Sequence, residues 1–258
     1  METEIKEEGD FRYIEQGEGP TLVVLHGLFG ALSNFKGVFD YFSGRFRVVI
    51  PMLPIYSMPI INTNVKNLAK YVRDFIQFKG YGKVHLLGNS LGGHVAMVYA
   101  ASNLQTVHSL ILTGSSGLYE NALGRTFPKR GNYDFVKEKV ELTFYDPLVA
   151  TKELVDECYS IVNDKAKALR VLSLAKSAIR HNMASELPNL NVPSCLIWGK
   201  NDTITPPDVA LAFQEQLPNA DLYWIEKCGH AAMMEHPDQF NETLDRWMTE
   251  VLAPQNAH

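Results

Sequence analysis

The segment HLLGNSLGGHVAMVYA, residues 85–100, is apolar except where Gly-Asn-Ser-Leu-Gly interrupts it. Ser90 is flanked there by Gly88 and Gly92, with a strand-like run before it and a helix-like run after it. A G-x-S-x-G sequence in that setting makes a tight turn that lifts the serine hydroxyl above the sheet edge. The helix N-terminus behind it supplies positive dipole and free N–H groups where an oxyanion would form. A lone serine at such a place could equally be a helix cap. A serine hydroxyl becomes a useful nucleophile only when a base accepts its proton and a third group orients the base, so both partners must be sought.

Of the eight histidines, His230 in KCGHAAMMEHP is the best base, because Gly229 precedes it and it follows the strand-like ADLYWIE. The others have duller settings: His85 and His108 within strands, His94 in the helix after the elbow, His181 far from any strand end, His236 beside Pro237 at a helix start, and His258 in the tail. The orienting acid should also follow a strand. Asp202 does so in SCLIWGKNDTITPP, and Glu120, after VHSLILT, is the competing acid. Directly after the strand-like TLVVLH comes HGLFG, residues 26–30. An oxyanion needs two N–H donors, one after the nucleophile and one from such an earlier loop, which assigns the backbone amides of Leu91 and Leu28. His26 is then expected to hold that loop by hydrogen bonds. A plain turn with two glycines is the simpler alternative.

These residues need rigid elements to converge. Six β-branched or apolar runs read as strands: 21–26, 46–50, 83–88, 107–113, 194–199 and 220–226. They alternate with helical patterns over 64–79, 91–102, 207–216 and 237–251, which predicts an α/β fold with a mostly parallel sheet flanked by helices. About 80 residues separate the strand ending near Thr113 from the one beginning near Ser194, far more than a usual crossover loop of ~2 to 6 residues. Helical patterns at 133–145, 151–162 and 164–181 fill the gap. The reading is a core of residues 1–116 and 190–258 carrying a helical cap, residues 117–189.

Composition narrows the function further. The chain has 258 residues, 46% of them hydrophobic, and a net charge of -5 without a Lys/Arg cluster, so nucleic acid is not the expected partner. No stretch is long and apolar enough to span a membrane and METEIKEEGD does not resemble a secretory signal, so the expectation is a cytoplasmic protein acting on a small molecule. Cys158, Cys195 and Cys228 lack CxxC spacing and are read as buried or incidental thiols; no metal and no cofactor is expected. Oligomeric state is not encoded legibly.

HGLFG, GNSLGG, WGKNDTITPP and CGHAAMMEHP, in this order, resemble the α/β-hydrolase superfamily over nearly the whole chain outside the cap. The resemblance implies a triad in the order Ser90, Asp202, His230, a helical cap over the site, and no required cofactor. Many relatives carry a D-x-P-G-x-G-x-S-like loop after the second of these strands. Here the loop is PMLPIYSMP, with Met52, Ile55 and Ser57 at the departing positions, so its conformation must differ. Met52, Ile55, Tyr56 and Met58 could line an apolar wall of the site or be buried in the core.

Three functions remain open. HGLFG followed by Asn34-Phe35 is similar to small acyl esterases, which implies hydrolysis of a small, largely apolar ester, thioester or lactone. GNSLGG with Asn89, and KCGHAAMMEHPDQFN, are similar to meta-cleavage product hydrolases, which cut a carbon–carbon bond. Those enzymes usually have a tryptophan after the catalytic histidine, where this chain has Ala231, and use a cap arginine, for which Arg170 and Arg180 are candidates. A ligand-binding protein without turnover is the third reading. Candidate substrate contacts are Phe29, Asn34, Tyr56, Phe127, Phe144 and Tyr145, with Phe135 and Leu172 as further apolar cap residues. The cap is expected to set substrate choice and the core to set chemistry.

Overall fold

A computed structural model of the protein describes residues 4–30, 32–120 and 130–252. The strands are β1 (Lys6–Glu8), β2 (Phe11–Gln16), β3 (Thr21–Leu25), β4 (Arg47–Pro51), β5 (Val84–Asn89), β6 (Val107–Thr113), β7 (Ser194–Gly199) and β8 (Ala220–Ile225). They form one sheet in the order β1-β2-β4-β3-β5-β6-β7-β8. The pairs β1/β2 and β2/β4 are antiparallel, and every pair from β4 to β8 across the sheet is parallel. The helices are α1 (Lys36–Phe42), α2 (Val65–Phe78), α3 (Leu91–Asn103), α4 (Tyr133–Glu141), α5 (Lys152–Asn163), α6 (Lys165–Arg180), α7 (Pro207–Gln216), α8 (Ala232–Glu235) and α9 (Pro237–Leu252).

The sheet is covered on both faces because its strands are apolar at every second position and at the positions between. Val23, Leu25, Leu110, Leu112, Leu196 and Trp198 pack with helices α2, α3 and α7. Their neighbours Leu22, Val24, Ile111, Cys195 and Ile197 pack with α1 and α9 on the other face. Side chains alternate across a strand, so a run without polar gaps can only be stable between two helical layers. The six strands read from such runs all form, with ends shifted by no more than about a residue.

The β1–β2 hairpin, helix α1 and the four-residue α8 escaped the sequence reading. The β1–β2 hairpin is charged and mostly exposed, burying only Tyr13 and Ile14, so it lacks the apolar signature of the interior strands. Helix α1 has only seven residues, with Gly37 in its first turn. Among the described residues, no helix is long and apolar enough to cross a membrane.

Helices α4, α5 and α6 lie between β6 and β7. Asn132, Thr151 and Asp164 cap them, each side chain accepting backbone N–H bonds from the first turn. They have a small apolar cluster of their own, Val136, Cys158 and Val162, against which Phe29 of the HGLFG loop packs. Helix α6 is fastened to the core: Ser177 Oγ accepts from Val65 N at 3.1 Å, Ser173 Oγ donates to Thr63 O at 2.9 Å, and Arg170 Nε donates to Met58 O at 2.7 Å.

One contact sets how closely α3 can approach the sheet. A Cβ placed on Gly92 would lie 2.0 Å from the carbonyl oxygen of Leu25, which is backbone and cannot move aside. We therefore expect Gly92→Ala to destabilise the fold by at least ~1 to 3 kcal/mol in chemical unfolding. Gly82→Ala, where a Cβ would meet nothing within 4 Å, should be neutral or stabilising by up to ~1 kcal/mol. Equal stability of the two variants would refute the close approach.

Candidate active site

The parallel strands share one carboxyl-terminal edge of the sheet, where the HGLFG loop follows β3, Ser90 follows β5, Asp202 follows β7 and His230 follows β8. Ser90 sits between β5 and α3 with φ 55° and ψ -121°, a positive φ that an L-residue adopts only under constraint. Three N–H groups, of Gly93, His94 and Ser116, donate to its carbonyl oxygen at 3.1, 3.2 and 3.2 Å. Its own N–H donates to Thr113 O at 3.2 Å. The carbonyl of Ser90 and the N–H of Leu91 belong to one planar trans peptide and point in opposite directions. Holding the carbonyl therefore aims the Leu91 N–H.

The HGLFG loop uses the same device. Gly27 O accepts from Gly30 N at 3.0 Å and from His26 Nδ1 at 3.0 Å, which fixes the peptide that carries the Leu28 N–H. His26 Nε2 accepts from Leu53 N at 3.2 Å, so the Nδ1–H tautomer is the one that satisfies both contacts. Burial holds the His26 imidazole pKa below its usual value, which keeps the ring neutral for this role. Tyr56 Oη donates to Leu28 O at 3.0 Å. The atypical 51–59 loop is thus a brace for HGLFG. Leu53 and Ile55 are buried in the core, and Tyr56 and Met58 pack against it. None of these residues lines the main cavity, so Tyr56 is not placed as a substrate contact.

His230 and Asp202 meet at the ends of β8 and β7. His230 Nδ1 donates to Asp202 Oδ2 at 2.9 Å, and both residues are buried. Asp202 is fully engaged: its Oδ1 accepts from Ile204 N at 2.8 Å and Thr205 N at 2.9 Å, and its Oδ2 also accepts from Thr205 Oγ1 at 2.8 Å. A buried carboxylate with four donors stays in place as an acceptor. Burial opposes charging the His230 imidazole. The charge and hydrogen bond of Asp202, with the charge of Glu120, outweigh it and raise the imidazole pKa above its usual value. Gly114, with φ +51°, makes room for the ring, since a Cβ there would lie 2.8 Å from His230 Nδ1.

Other contacts went unnoticed in the sequence. Asn89 Nδ2 donates to Thr113 O at 3.0 Å and to His230 O at 3.2 Å, tying the elbow to the histidine loop. His230 N donates to Thr143 O at 2.8 Å. Glu235 accepts from Gly229 N at 2.6 Å and Asp146 N at 2.7 Å, clamping the segment after α4 onto the same loop. Only Thr205, three residues beyond the predicted acid in a turn, had a visible signal; a backbone carbonyl such as Thr143 O has none.

Ser90, His230, Leu28, Leu91 and Glu120 line one cavity of about 650 Å³. Phe29, Asn34 and Phe144 line it too. Asn34 Oδ1 and Ser116 Oγ are buried at its wall without a hydrogen-bond partner among the described residues. Much of the remaining wall is apolar, including Val136, Val140, Leu154, Val162, Ala178 and Met234. Tyr145 is about half exposed and does not line the cavity, nor do Phe135 and Leu172; Phe127 lies outside the described residues. Arg170 is spent on backbone carbonyls and Arg180 is exposed, and neither faces the cavity. All three cysteines are free and buried; Cys158 lines the cavity, where burial pushes its thiol up to about 12. The competing histidines are engaged elsewhere: His85 with Ser109 Oγ at 2.7 Å, His94 with His181 at 3.1 Å, and His236 with Lys227 O at 2.9 Å.

Comparison with known proteins agrees with this fold. The family model described as the alpha/beta hydrolase fold matches residues 20–237. A 2-hydroxy-6-oxononadienedioate/2-hydroxy-6-oxononatrienedioate hydrolase of Pseudomonas sp is 29% identical, covering 94% of this chain and 93% of that protein. A 2-hydroxy-6-oxo-6-phenylhexa-2,4-dienoate hydrolase of Burkholderia cepacia is 26% identical, over 90% and 88%. Among solved structures, an alpha/beta hydrolase enzyme from the metagenome of sediments of the Mar Chica lagoon, Morocco, is 48% identical with a TM-score of 0.79, covering 96% of this chain and 98% of that one. The chain is a member of the alpha/beta hydrolase family and a hydrolase.

Proposed function

We propose that the protein is a serine hydrolase that cleaves a small, largely apolar carboxylic ester, thioester or lactone through Ser90, His230 and Asp202. The observation that carries this reading is the single cavity lined by Ser90 and His230, whose walls are mainly apolar and present no guanidinium among the described residues. Ser90 Oγ attacks the substrate carbonyl while His230 takes its proton. The oxyanion forms against the amides of Leu28 and Leu91, and Asp202 holds the imidazole and stabilises its charged form. His230 then protonates the leaving alcohol or thiol, and water repeats the sequence on the acyl-enzyme. Within the proposed cap, residues 117–189, the described helices α4, α5 and α6 roof the cavity, with Val136, Phe144 and Leu154 selecting the acyl group.

Hydrolysis of a carbon–carbon bond in a vinylogous diketone is the second reading, and the Pseudomonas and Burkholderia relatives favour it over ester hydrolysis. The substrates in their names are carboxylates, and the one ammonium on the described wall, Lys139, is exposed. The two candidate arginines do not face the cavity, and Ala231 occupies the position after His230. The mainly apolar wall of the described cavity is what supports the ester reading.

Turnover of p-nitrophenyl acetate, butyrate and octanoate, set beside a 2-hydroxy-6-oxo-dienoate, decides between them. The expected result is a kcat/KM for the best ester that exceeds the dienoate value at least tenfold; the reverse order would assign carbon–carbon cleavage, and no turnover of either would refute both substrate classes. Ser90→Ala should lower kcat by ~10³ to 10⁶ without changing the melting temperature. Undiminished turnover by this variant would remove Ser90 as the nucleophile.

The pH dependence follows from the state of the base. His230 must be neutral to accept a proton, and its pKa is raised, so kcat/KM falls as pH drops through a value above the usual imidazole range. Asp202→Asn removes the larger of the two charges that raise it and leaves that of Glu120 and the burial that lowers it. The acid limb should then move to lower pH while kcat at the plateau falls by ~10³ to 10⁴. A limb that stays in place would mean that Asp202 does not govern the base.

A further inference from the structure

Glu120 is the one carboxylate among the described cavity-lining residues, and ester cleavage as proposed above does not use it. It lies seven residues beyond the end of β6, shares the cavity wall with Ser90 and His230, and is partly buried. Asp202 spends its charge on four donors, whereas Glu120 has no hydrogen bond or ion pair among the described residues. Its field is felt at the reacting centre, since burial raises the Glu120 pKa and the charge of His230 pulls it back. The other charged side chain on the wall is Lys139 of α4, which is exposed, with its ammonium 5.4 Å from the centroid of the Phe135 ring. Among the described lining residues the partly buried charge is thus the Glu120 carboxylate, and the Lys139 ammonium is exposed.

We infer that Glu120 is a specificity-determining residue that makes the cavity exclude anionic acyl groups and accept neutral and cationic ones. This rests on the ester reading and narrows its substrate class. An unpaired carboxylate inside a mainly apolar wall acts through a lower dielectric than water, so a second negative charge brought into the same cavity is repelled and a positive one is attracted. The effect requires the ionised form, which sets the assay on the alkaline side of the raised Glu120 pKa. Lys139 does not cancel it, because an exposed ammonium is screened by solvent.

The test uses three p-nitrophenyl esters of one butyryl chain ending in trimethylammonium, tert-butyl or sulfonate, which share shape and differ in charge. Binding is read by calorimetry in the Ser90→Ala protein, so that it does not depend on turnover, and kcat/KM is read in the protein with Ser90 intact. The expected order of affinity is cation, then neutral, then anion, with the anion bound about 10- to 100-fold more weakly than the neutral ester. Adding Glu120→Gln should collapse the spread, Glu120→Asp should retain it, and Lys139→Met should leave the order as it is. An anion bound as tightly as the neutral ester, or an order unchanged by Glu120→Gln, would overturn the inference. If Glu120→Gln fails to fold, the order in the Ser90→Ala protein decides alone. Ordered binding without turnover of any ester by the intact protein would instead sink the ester reading, and binding of none of the three would overturn both.

Discussion

The positive φ of Ser90 is the constraint on which the rest of the site depends. It arises because β5 must reverse into α3 within one residue, and α3 must come close enough to β3 that Gly92 touches the Leu25 carbonyl. A side chain at position 92 would push the helix away and relax the turn. The strain is held by bonds at both ends of the residue, three donors on the Ser90 carbonyl and the Thr113 carbonyl on its N–H. Because peptides are planar, the same bonds that hold the strained turn also direct the Leu91 amide. The Gly27 peptide repeats this logic with His26 and Gly30 as donors. Two amides are thus fixed before any substrate arrives, which is what electrostatic stabilisation of an oxyanion demands.

His230 is held by a second set of ties that cross from the core to the helices between β6 and β7. Asn89 reaches from the elbow to the His230 carbonyl, the Thr143 carbonyl receives the His230 amide, and Glu235 joins Gly229 to Asp146. The proposed division, in which a cap sets substrate choice and a core sets chemistry, is crossed by these ties. The segment after α4 carries Phe144 on the cavity wall and, through Thr143, supports the histidine. Changes in that segment should move selectivity and rate together.

The interior strands and the long helices were legible because apolar periodicity reports burial directly, and burial is what a two-faced sheet imposes. HGLFG, GNSLGG, Asp202 and His230 were legible because turn-making glycines and polar residues at strand ends stand out against apolar runs. The β1–β2 hairpin was not, since an exposed edge carries no apolar signature. Tyr56 was misplaced for a related reason: an aromatic residue in a loop reads the same whether it faces ligand or braces a backbone carbonyl, and the Leu28 carbonyl that claims it is invisible in sequence. Tyr145 faces solvent, and the cavity-lining role of Cys158 depends on how α5 packs, which no local pattern reveals. The position of Arg170 likewise follows from the irregular loop whose Met58 carbonyl it caps.

One fold supports ester and carbon–carbon hydrolysis, so membership of the family leaves the substrate to the cavity. Among the described residues its wall is mainly apolar, holds the Asn34 and Ser116 oxygens without a hydrogen-bond partner, and presents no guanidinium. The claim beneath all of this is that Ser90 faces two prearranged amides. A crystal structure of the protein inactivated with an alkyl phosphonate tests it most directly. The adduct should be on Ser90 Oγ, with the phosphoryl oxygen ~2.7 to 3.1 Å from both the Leu28 and Leu91 nitrogens. An adduct on another residue, or a phosphoryl oxygen turned away from both amides, would contradict it.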